Sequence, residues 1–358
     1  ILAYGIQPIT MLARPLGAYF FGYIGDRYGR EQALFGALCG MGVVSLLLAC
    51  IPTYTQAGLF APILFCAGRA LQNFLVAGET MGGAVFLLEH TPEKTHDVWS
   101  SFYGASAMGG HLLAALGVFG IYYCGYTENG WRFLYILGCM TALFGCKVRT
   151  STHLSSTSQK QNLQTAVQIA DCLPAFFPLL ICSGFAKATY GAAVVVMQGL
   201  LPMISALSPT EVAMMNTYLL CLDFILFPLF GWTATLLSRE RQMFFATLAI
   251  VILAGPLFHL LSGASFWEVF AIRMIFISLG VAFCAPFYAW AQQLVPPGYR
   301  YRFLSVGESL GNQLLGGPTA ACALWCFHAT GSSLSAAWYW MVLGTITCFA
   351  LSLRNKIF

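Results

Sequence analysis

The nineteen residues Ala13 to Glu31, ARPLGAYFFGYIGDRYGRE, constrain this chain more than any other stretch. An apolar run over 5–24 ends in Gly22-Tyr-Ile-Gly-Asp26-Arg27-Tyr-Gly29-Arg30, and a second apolar run, 33–51, follows almost at once. Two runs of that length joined by so short and charged a turn make a membrane hairpin. Each can cross a bilayer, and the charges between them stay in water. Gly25 and Gly29 permit the reversal. Arg27 and Arg30 hold the turn on the cytoplasmic side. Asp26 is placed to pair with them or to cap a neighbouring helix N-terminus.

The same pattern continues to the end of the chain. Apolar runs recur at 5–24, 33–51, 58–88, 98–121, 132–146, 174–201, 213–237, 243–261, 268–294, 303–327 and 336–353, eleven candidate helices. Only 8% of residues are charged and the mean hydropathy is +0.74, whereas soluble domains carry about a quarter charged residues. The expected fold class is all-α, a polytopic membrane protein. No G-x-S-x-G, nucleotide loop or Cys/His metal spacing occurs, so no enzyme, no cofactor and no metal site is expected. The thirteen cysteines fall mostly inside apolar runs and read as small buried packing residues.

Basic residues give the sidedness. With the Asp26 turn inside, the inner segments hold Arg27, Arg30, Lys94, Lys147, Arg149, Lys160, Arg239, Arg241, Arg300, Arg302, Arg354 and Lys356. The outer loops hold none, with Arg132 at the edge of one. Twelve of seventeen basic residues on one face satisfy the positive-inside rule. The net charge of +4 is this asymmetry and asks for no nucleic-acid partner.

The pattern G-x-x-x-D-R-x-G-R closely resembles the loop signature of the major facilitator superfamily of transporters, with Glu31 where that family usually has a second basic residue. The preceding Arg14-Pro15-Leu16-Gly17 makes it similar to the metabolite:proton symporter branch, which includes proline/betaine and α-ketoglutarate carriers. Further segments resemble that branch in order. Arg69-Ala-Leu-Gln72…Gly78-Glu79…Gly82-Gly83…Glu89-His-Thr-Pro92 is similar to its fourth helix. Gly130-Trp131-Arg132 is similar to the start of its sixth, Val295-Pro296…Arg300-Tyr301 to the loop before its eleventh, and Gly316-Gly317-Pro318 to that helix itself.

The resemblance implies the major facilitator fold, two pseudo-symmetric six-helix bundles. The bundles are expected at 1–146 and 174–358, with a polar cytoplasmic linker at 147–173. Eleven helices in this chain then imply a first helix missing ahead of Ile1. The second bundle should repeat the hairpin signature. What stands there is Gly231…Leu236-Leu-Ser-Arg239-Glu240-Arg241, without the Gly-Asp core, so an asymmetric inner gate is expected.

A charge in the hydrocarbon region costs about 2.5–3.5 kcal/mol even on lenient scales, so each one needs a reason. In the third run of this chain Arg69, Gln72, Val76, Glu79 and Gly83 share one helical face. That helix lines the central cavity in the superfamily, which implies Arg69 and Gln72 as substrate contacts and Glu79 as a proton acceptor. A fixed ion pair between helices is the structural alternative for Arg69 and Glu79. Arg273 is a second candidate for substrate charge. Asp26, Arg27, Arg30 and Glu89 are candidate gating residues, Glu89 pairing with Arg27 or Arg30. Lys187 and Asp223 can neutralise one another, Glu308 reads as a gate or helix-terminal residue, and His111 as a hydrogen-bonded packing residue.

The function expected is proton-coupled symport of a small carboxylate-bearing metabolite or osmolyte, proline or betaine first, by alternating access. A dicarboxylate such as α-ketoglutarate is the alternative, favoured by the two intramembrane arginines. A non-transporting sensor or a decaying pseudo-transporter is the reading from another class, motivated by the missing helix and the eroded second signature. The partners expected are substrate, protons and the lipid bilayer, the setting a bacterial inner (cytoplasmic) membrane, and the state a monomer.

Overall fold

A computed structural model describes residues 7–126, 129–151, 169–205, 207–296 and 300–354. The described residues are helical, with no strand among them. In hydrocarbon a helix satisfies its own backbone hydrogen bonds, so apolar runs of this length have no other stable form. The helices are α1 Gln7–Tyr28, α2 Arg30–Ala49, α3 Phe60–Glu89, α4 His96–Tyr123, α5 Gly130–Ser151, α6 Ile169–Tyr190, α7 Met197–Ile204, α8 Pro209–Leu237, α9 Arg239–Leu260, α10 Phe266–Cys284, α11 Phe287–Gln292, α12 Arg300–Gly311, α13 Thr319–Thr330 and α14 Trp338–Arg354. Wider π turns, Gly191–Val196 and Asn312–Gly316, carry α6 into α7 and follow α12.

Where they are described, the expected apolar runs fall on these helices and the π turns that join them. Among the described residues, eight spans are long and apolar enough to cross a membrane, and Trp338–Leu353 is a shorter one. Helix α1, with Arg14, Asp26 and Arg27, and the segment from α12 to α13, broken by its π turn, stand outside those eight. Residues 152–168 of the expected linker lie outside the described residues.

The chain divides into two compact units, and each takes in one stretch from the other half of the sequence. Unit 1 comprises 1–86, 113–171 and 295–309; unit 2 comprises 87–112, 172–294 and 310–358. In unit 1, α2 and α5 run antiparallel along a seam of small residues. A Cβ on Gly42 would stand 3.0 Å from that of Ala142, and one on Gly145 would stand 2.9 Å from the Leu38 side chain. At the far end of the seam Arg132, stacked on Trp131 at 4.4 Å, donates to the Ile51 carbonyl at 2.8 Å just past α2. This is the usual way a cation closes a helix C-terminus. The core of unit 1 joins Phe21, Ala33, Ala37, Val44, Leu48, Leu75 and Tyr301.

Unit 2 is centred on aromatic side chains. Phe276 meets Trp340 edge-on at 5.1 Å and Phe185 meets Phe283 at 5.0 Å. The Trp340 indole donates to Thr189 Oγ1 at 3.1 Å, so its polar edge is satisfied in the interior. On the ends of α8 and α10, Ser208 with Glu211 and Ser265 with Glu268 form reciprocal caps.

The cysteine expectation is corrected. Among the described cysteines only Cys182 and Cys284 are buried, and Cys50 and Cys124 are exposed. The outer faces of these helices are apolar, as at Val43, Leu47, Leu113 and Ile252, and a small apolar thiol is at home there. One pair is close: Cys39 on α2 and Cys146 on α5 stand 3.0 Å apart, sulfur to sulfur, in register with the seam. Diamide, which accepts the two electrons and two protons of the thiol pair, is therefore expected to link these two residues. Peptide mapping after alkylation of the remaining thiols would identify the linked pair. Free, alkylated Cys39 and Cys146 in the oxidised sample would contradict the α2–α5 register.

Candidate functional site

The signature hairpin forms one half of a latch in unit 1. Gly29 alone separates α1 from α2, at φ +110°, a conformation open to glycine and strained for other residues. That turn presents Asp26 to the first turn of α12. Its carboxylate accepts the backbone N–H of Tyr301 at 3.3 Å and of Arg302 at 3.1 Å, with the Arg302 guanidinium at 3.9 Å. A carboxylate on free N–H groups at a helix start is favoured by both hydrogen bonding and the helix dipole. Of the two roles expected for Asp26, the structure forms the cap.

Three pieces of the sequence converge on Tyr301, which is fully buried. Its ring lies directly over Gly25 and Gly82, where any Cβ would collide with it, and its hydroxyl donates to the Gly78 carbonyl. Arg302 lies over the rings of Tyr19 and Tyr23 at 5.9 and 5.2 Å. Arg27 turns away: it is exposed and bonded to the Tyr23 hydroxyl. Arg30 is near enough to Asp26 for its charge to favour the ionised carboxylate. Glu89 ends α3 and falls in unit 2, whereas Arg27 and Arg30 belong to unit 1.

Asp26 lies beyond the apolar run of α1. Burial pushes its carboxyl up to about 6, against the downward pull of the Arg302 N–H, the Arg30 and Arg302 charges and the Tyr301 N–H.

Unit 2 builds the corresponding contact with inverted polarity. Ser238 alone separates α8 from α9, at φ 72°, so the second hairpin keeps the positive-φ joint without a glycine. Such a conformation costs a residue with a side chain about 1–3 kcal/mol. The next residue, Arg239, grips Asp97 at the start of α4 through Nε–Oδ1 at 3.0 Å and Nη2–Oδ2 at 3.2 Å, and donates to the Ala289 carbonyl at 3.1 Å. Ser100 on α4 donates to the Ala285 carbonyl at 2.6 Å. The eroded signature therefore still makes a contact, with the cation on the hairpin and the acid on the helix it meets. Asp97 and Arg239 were missed as a pair because 142 positions separate them. The eroded signature marked Arg239, but nothing in the sequence marked Asp97 as its partner.

Deeper in unit 1, Arg69 donates to Gln72 Oε1 at 2.9 Å, and Gln72 donates to Ser45 Oγ on α2 at 3.2 Å. Among the described residues Arg69 has no carboxylate partner, so the fixed ion pair is not formed. Glu79 lies ten residues beyond Arg69, roughly 15 Å along the same helix. Arg14 was missed as a site residue. It bridges Glu308 at 3.4 Å and Thr80 at 3.3 Å, which places Glu308 in an ion pair one residue from Glu79.

In unit 2, Arg273 is wholly buried, and its partners are neutral: the Asn216 carbonyl and, at 3.1 Å, the Ala193 carbonyl inside the π turn. Its Nε and Nη1 have no hydrogen-bond partner among the described residues. Both carboxylate oxygens of Asp223 accept from the Tyr190 hydroxyl, at 3.0 and 2.8 Å, and Lys187 is not among its partners, so the expected neutralisation is not formed. His111 bonds the Ala107 carbonyl at 2.8 Å, a turn back on its own helix.

A model described as Major Facilitator Superfamily matches residues 5–314. Among curated proteins, the chain is 25% identical to a putative proline/betaine transporter of Staphylococcus aureus, over 97% of this chain and 77% of that protein. It is 26% identical to the inner membrane metabolite transport protein YhjE of Escherichia coli, over 97% and 82%. It is 24% identical to the proline/betaine transporter of Salmonella typhimurium, over 97% and 73%. Among solved structures, the proton:xylose symporter XylE superposes at a TM-score of 0.75 with 13% identity, over 96% of this chain and 83% of that one. The E. coli fucose:proton symporter FucP superposes at 0.75 with 11% identity, over 98% and 91%.

Asp26 gives a pH dependence of defined sign. Its carboxyl holds a proton up to about 6 when buried, and only to 3.8 when free. The folded hairpin thus binds the proton more tightly, and its stability rises as pH falls from about 6 towards 4. The gain is at most ~3 kcal/mol. In detergent, the thermal midpoint of wild type relative to Asp26→Asn is expected to rise between pH 7 and pH 4.5. An unchanged difference would contradict the buried, capping carboxylate.

Proposed function

This chain belongs to the Major Facilitator Superfamily and is a multi-pass membrane transporter, and from that premise we propose that it carries out proton-coupled symport of a small carboxylate-bearing osmolyte, proline or betaine, by alternating access. The membrane is the bacterial inner membrane, the basic face is cytoplasmic, and the carrier acts as a monomer. The observation that carries the substrate class is Arg69. Its guanidinium is held by a neutral amide, Gln72, and no carboxylate neutralises it among the described residues. In a helix that lines the cavity of this fold, an anionic group of the substrate is the natural partner. Gln72 fixes the fork so that it can meet a carboxylate with two parallel hydrogen bonds. Arg273 supplies a second cation with neutral partners, and this supports the dicarboxylate as the second reading.

Gating in this reading belongs to the hairpin. Asp26, supported by Arg30, holds the first turn of α12 while the cytoplasmic side is closed, with Arg27 and Glu89 as further gating charges. The Asp97–Arg239 pair performs the same task in unit 2. Glu79 is the proposed proton acceptor of unit 1, since a carboxylate in a half-dry cavity is easily brought to protonate near neutrality.

Arg69→Lys keeps the charge but loses the fork. It should weaken L-proline binding by about 1–3 kcal/mol, with folding retained. L-prolinamide, which lacks the carboxylate, should bind wild type poorly and be nearly indifferent to the substitution. Equal binding of L-proline and L-prolinamide by wild type would remove the carboxylate assignment from Arg69.

Uptake into vesicles should collapse on adding a protonophore and accelerate under an acid-outside gradient. Glu79→Gln should abolish concentrative uptake and spare substrate exchange. Equal loss of both would make Glu79 a structural group.

A further inference from the structure

Asp223 stands at the midpoint of α8, fourteen residues from either end of Pro209–Leu237, and is 1% exposed. A carboxylate buried at such a place is normally met by a cation or by several N–H donors. Here both of its oxygens share one hydroxyl, that of Tyr190 on α6. A single O–H can satisfy one oxygen at a time, so the carboxylate would hold its negative charge with one neutral donor.

The surrounding groups offer no compensation. Tyr190 itself faces Cys284 at the end of α10 and Tyr288 on α11, both neutral groups. Lys187, one turn before Tyr190, packs against Gly316 and is not a partner of Asp223. On α4, Asp97 is held by Arg239 and His111 is turned onto the Ala107 carbonyl. The remaining cation, Arg273, is bonded to Asn216, seven residues before Asp223 and roughly 10 Å along α8.

We propose that Asp223 is a proton-binding site of this carrier, its carboxyl protonated in the conformation seen here, with Tyr190 as the residue that positions it. The assignment deepens the proton-coupled reading and rests on it. It adds a site in unit 2 that is distinct from Glu79. The step is a simple exchange: the carboxyl O–H breaks, the proton passes to water when the Tyr190–Asp223 contact is opened to it, and the carboxylate is left on the Tyr190 hydroxyl. Protonation also leaves Arg273, bonded among the described residues only to the Asn216 side chain and the Ala193 carbonyl, without a carboxylate near it. Proton binding and anion binding in unit 2 thereby favour one another, and by linkage each strengthens the other equally.

The test is infrared difference spectroscopy on the purified carrier in lipid, stepping the pH. A carboxylic-acid carbonyl band that disappears with rising pH is expected. Beside the contributions of Asp26 and Glu79, one component of it should be absent from Asp223→Asn and displaced in frequency in Tyr190→Phe, which keeps the ring and its packing. Size-exclusion profiles of both variants report folding. In vesicles, L-proline accumulation under an acid-outside gradient should fall at least tenfold in Asp223→Asn. If the band persists unchanged in both variants while wild-type uptake remains protonophore-sensitive, the assignment to Asp223 is overturned and symport stands. If the band behaves as expected while wild-type uptake ignores the protonophore, the proton site stands and the symport reading fails.

Discussion

An ionised group inside hydrocarbon must be compensated within the protein, and the way this chain compensates its charges changes along the helices. At the basic-face ends the partners are of opposite charge or are helix N-termini: Asp26 on the first turn of α12, and Arg239 on Asp97. Towards the middle they are neutral: Gln72 for Arg69, Asn216 and a π-turn carbonyl for Arg273, Tyr190 for Asp223. Arg14 and Glu308 stand between these regimes as an ion pair at 3.4 Å. A group whose charge is fully matched by its own chain has little reason to exchange partners. A charge held only by neutral dipoles is stabilised in place and still favours an ion brought from outside. The end contacts therefore suit gating, and the mid-helix groups suit ligands.

The two contacts proposed as gates hold their helix starts by different chemistry. Asp26 binds backbone N–H groups, so the hold depends on where α12 starts more than on which side chains stand there. The side chain that matters in unit 1 is Tyr301, because Gly25 and Gly82 are shaped around its ring. In unit 2 the hold is a side-chain pair, Arg239 with Asp97, and it is lost if either residue changes. Partial burial and one charge-assisted hydrogen bond, Nη2 to Oδ2 at 3.2 Å, make that pair stronger than an exposed one of the same charges.

Most of the fold was legible in the sequence because hydrocarbon leaves a long apolar run little choice but a helix. The eleven runs and a tight reversal near Gly25 and Gly29 could be read directly, though Gly25 proves to lie inside α1 and Gly29 alone makes the turn. The partners of the hairpin could not. Asp26 meets residues 275 and 276 positions away, and no local periodicity encodes a contact of that range. The glycines at 25, 78 and 82 were visible as a pattern, but their purpose appears only when Tyr301 lies against Gly25 and Gly82 and Phe21 against Gly78. Arg14 was read only as part of a family signature, because its partner Glu308 lies 294 positions away. The cysteines misled for a related reason. In a soluble protein an apolar environment means the interior, whereas here much of it is the lipid-facing surface.

Erosion of a motif and loss of its contact are different events, and the second hairpin separates them. What the signature needs physically is an abrupt reversal between two helices and a charge delivered to the start of a third. Glycine and aspartate meet both needs at Gly29 and Asp26. In unit 2 the reversal survives at Ser238, at positive φ and at some cost in strain. The charge survives with its sign exchanged, because Asp97 at the start of α4 offers an acid to the hairpin cation. That strain would persist to no purpose if the hairpin held nothing. The compensated geometry at Arg239 shows that the contact can outlast the motif.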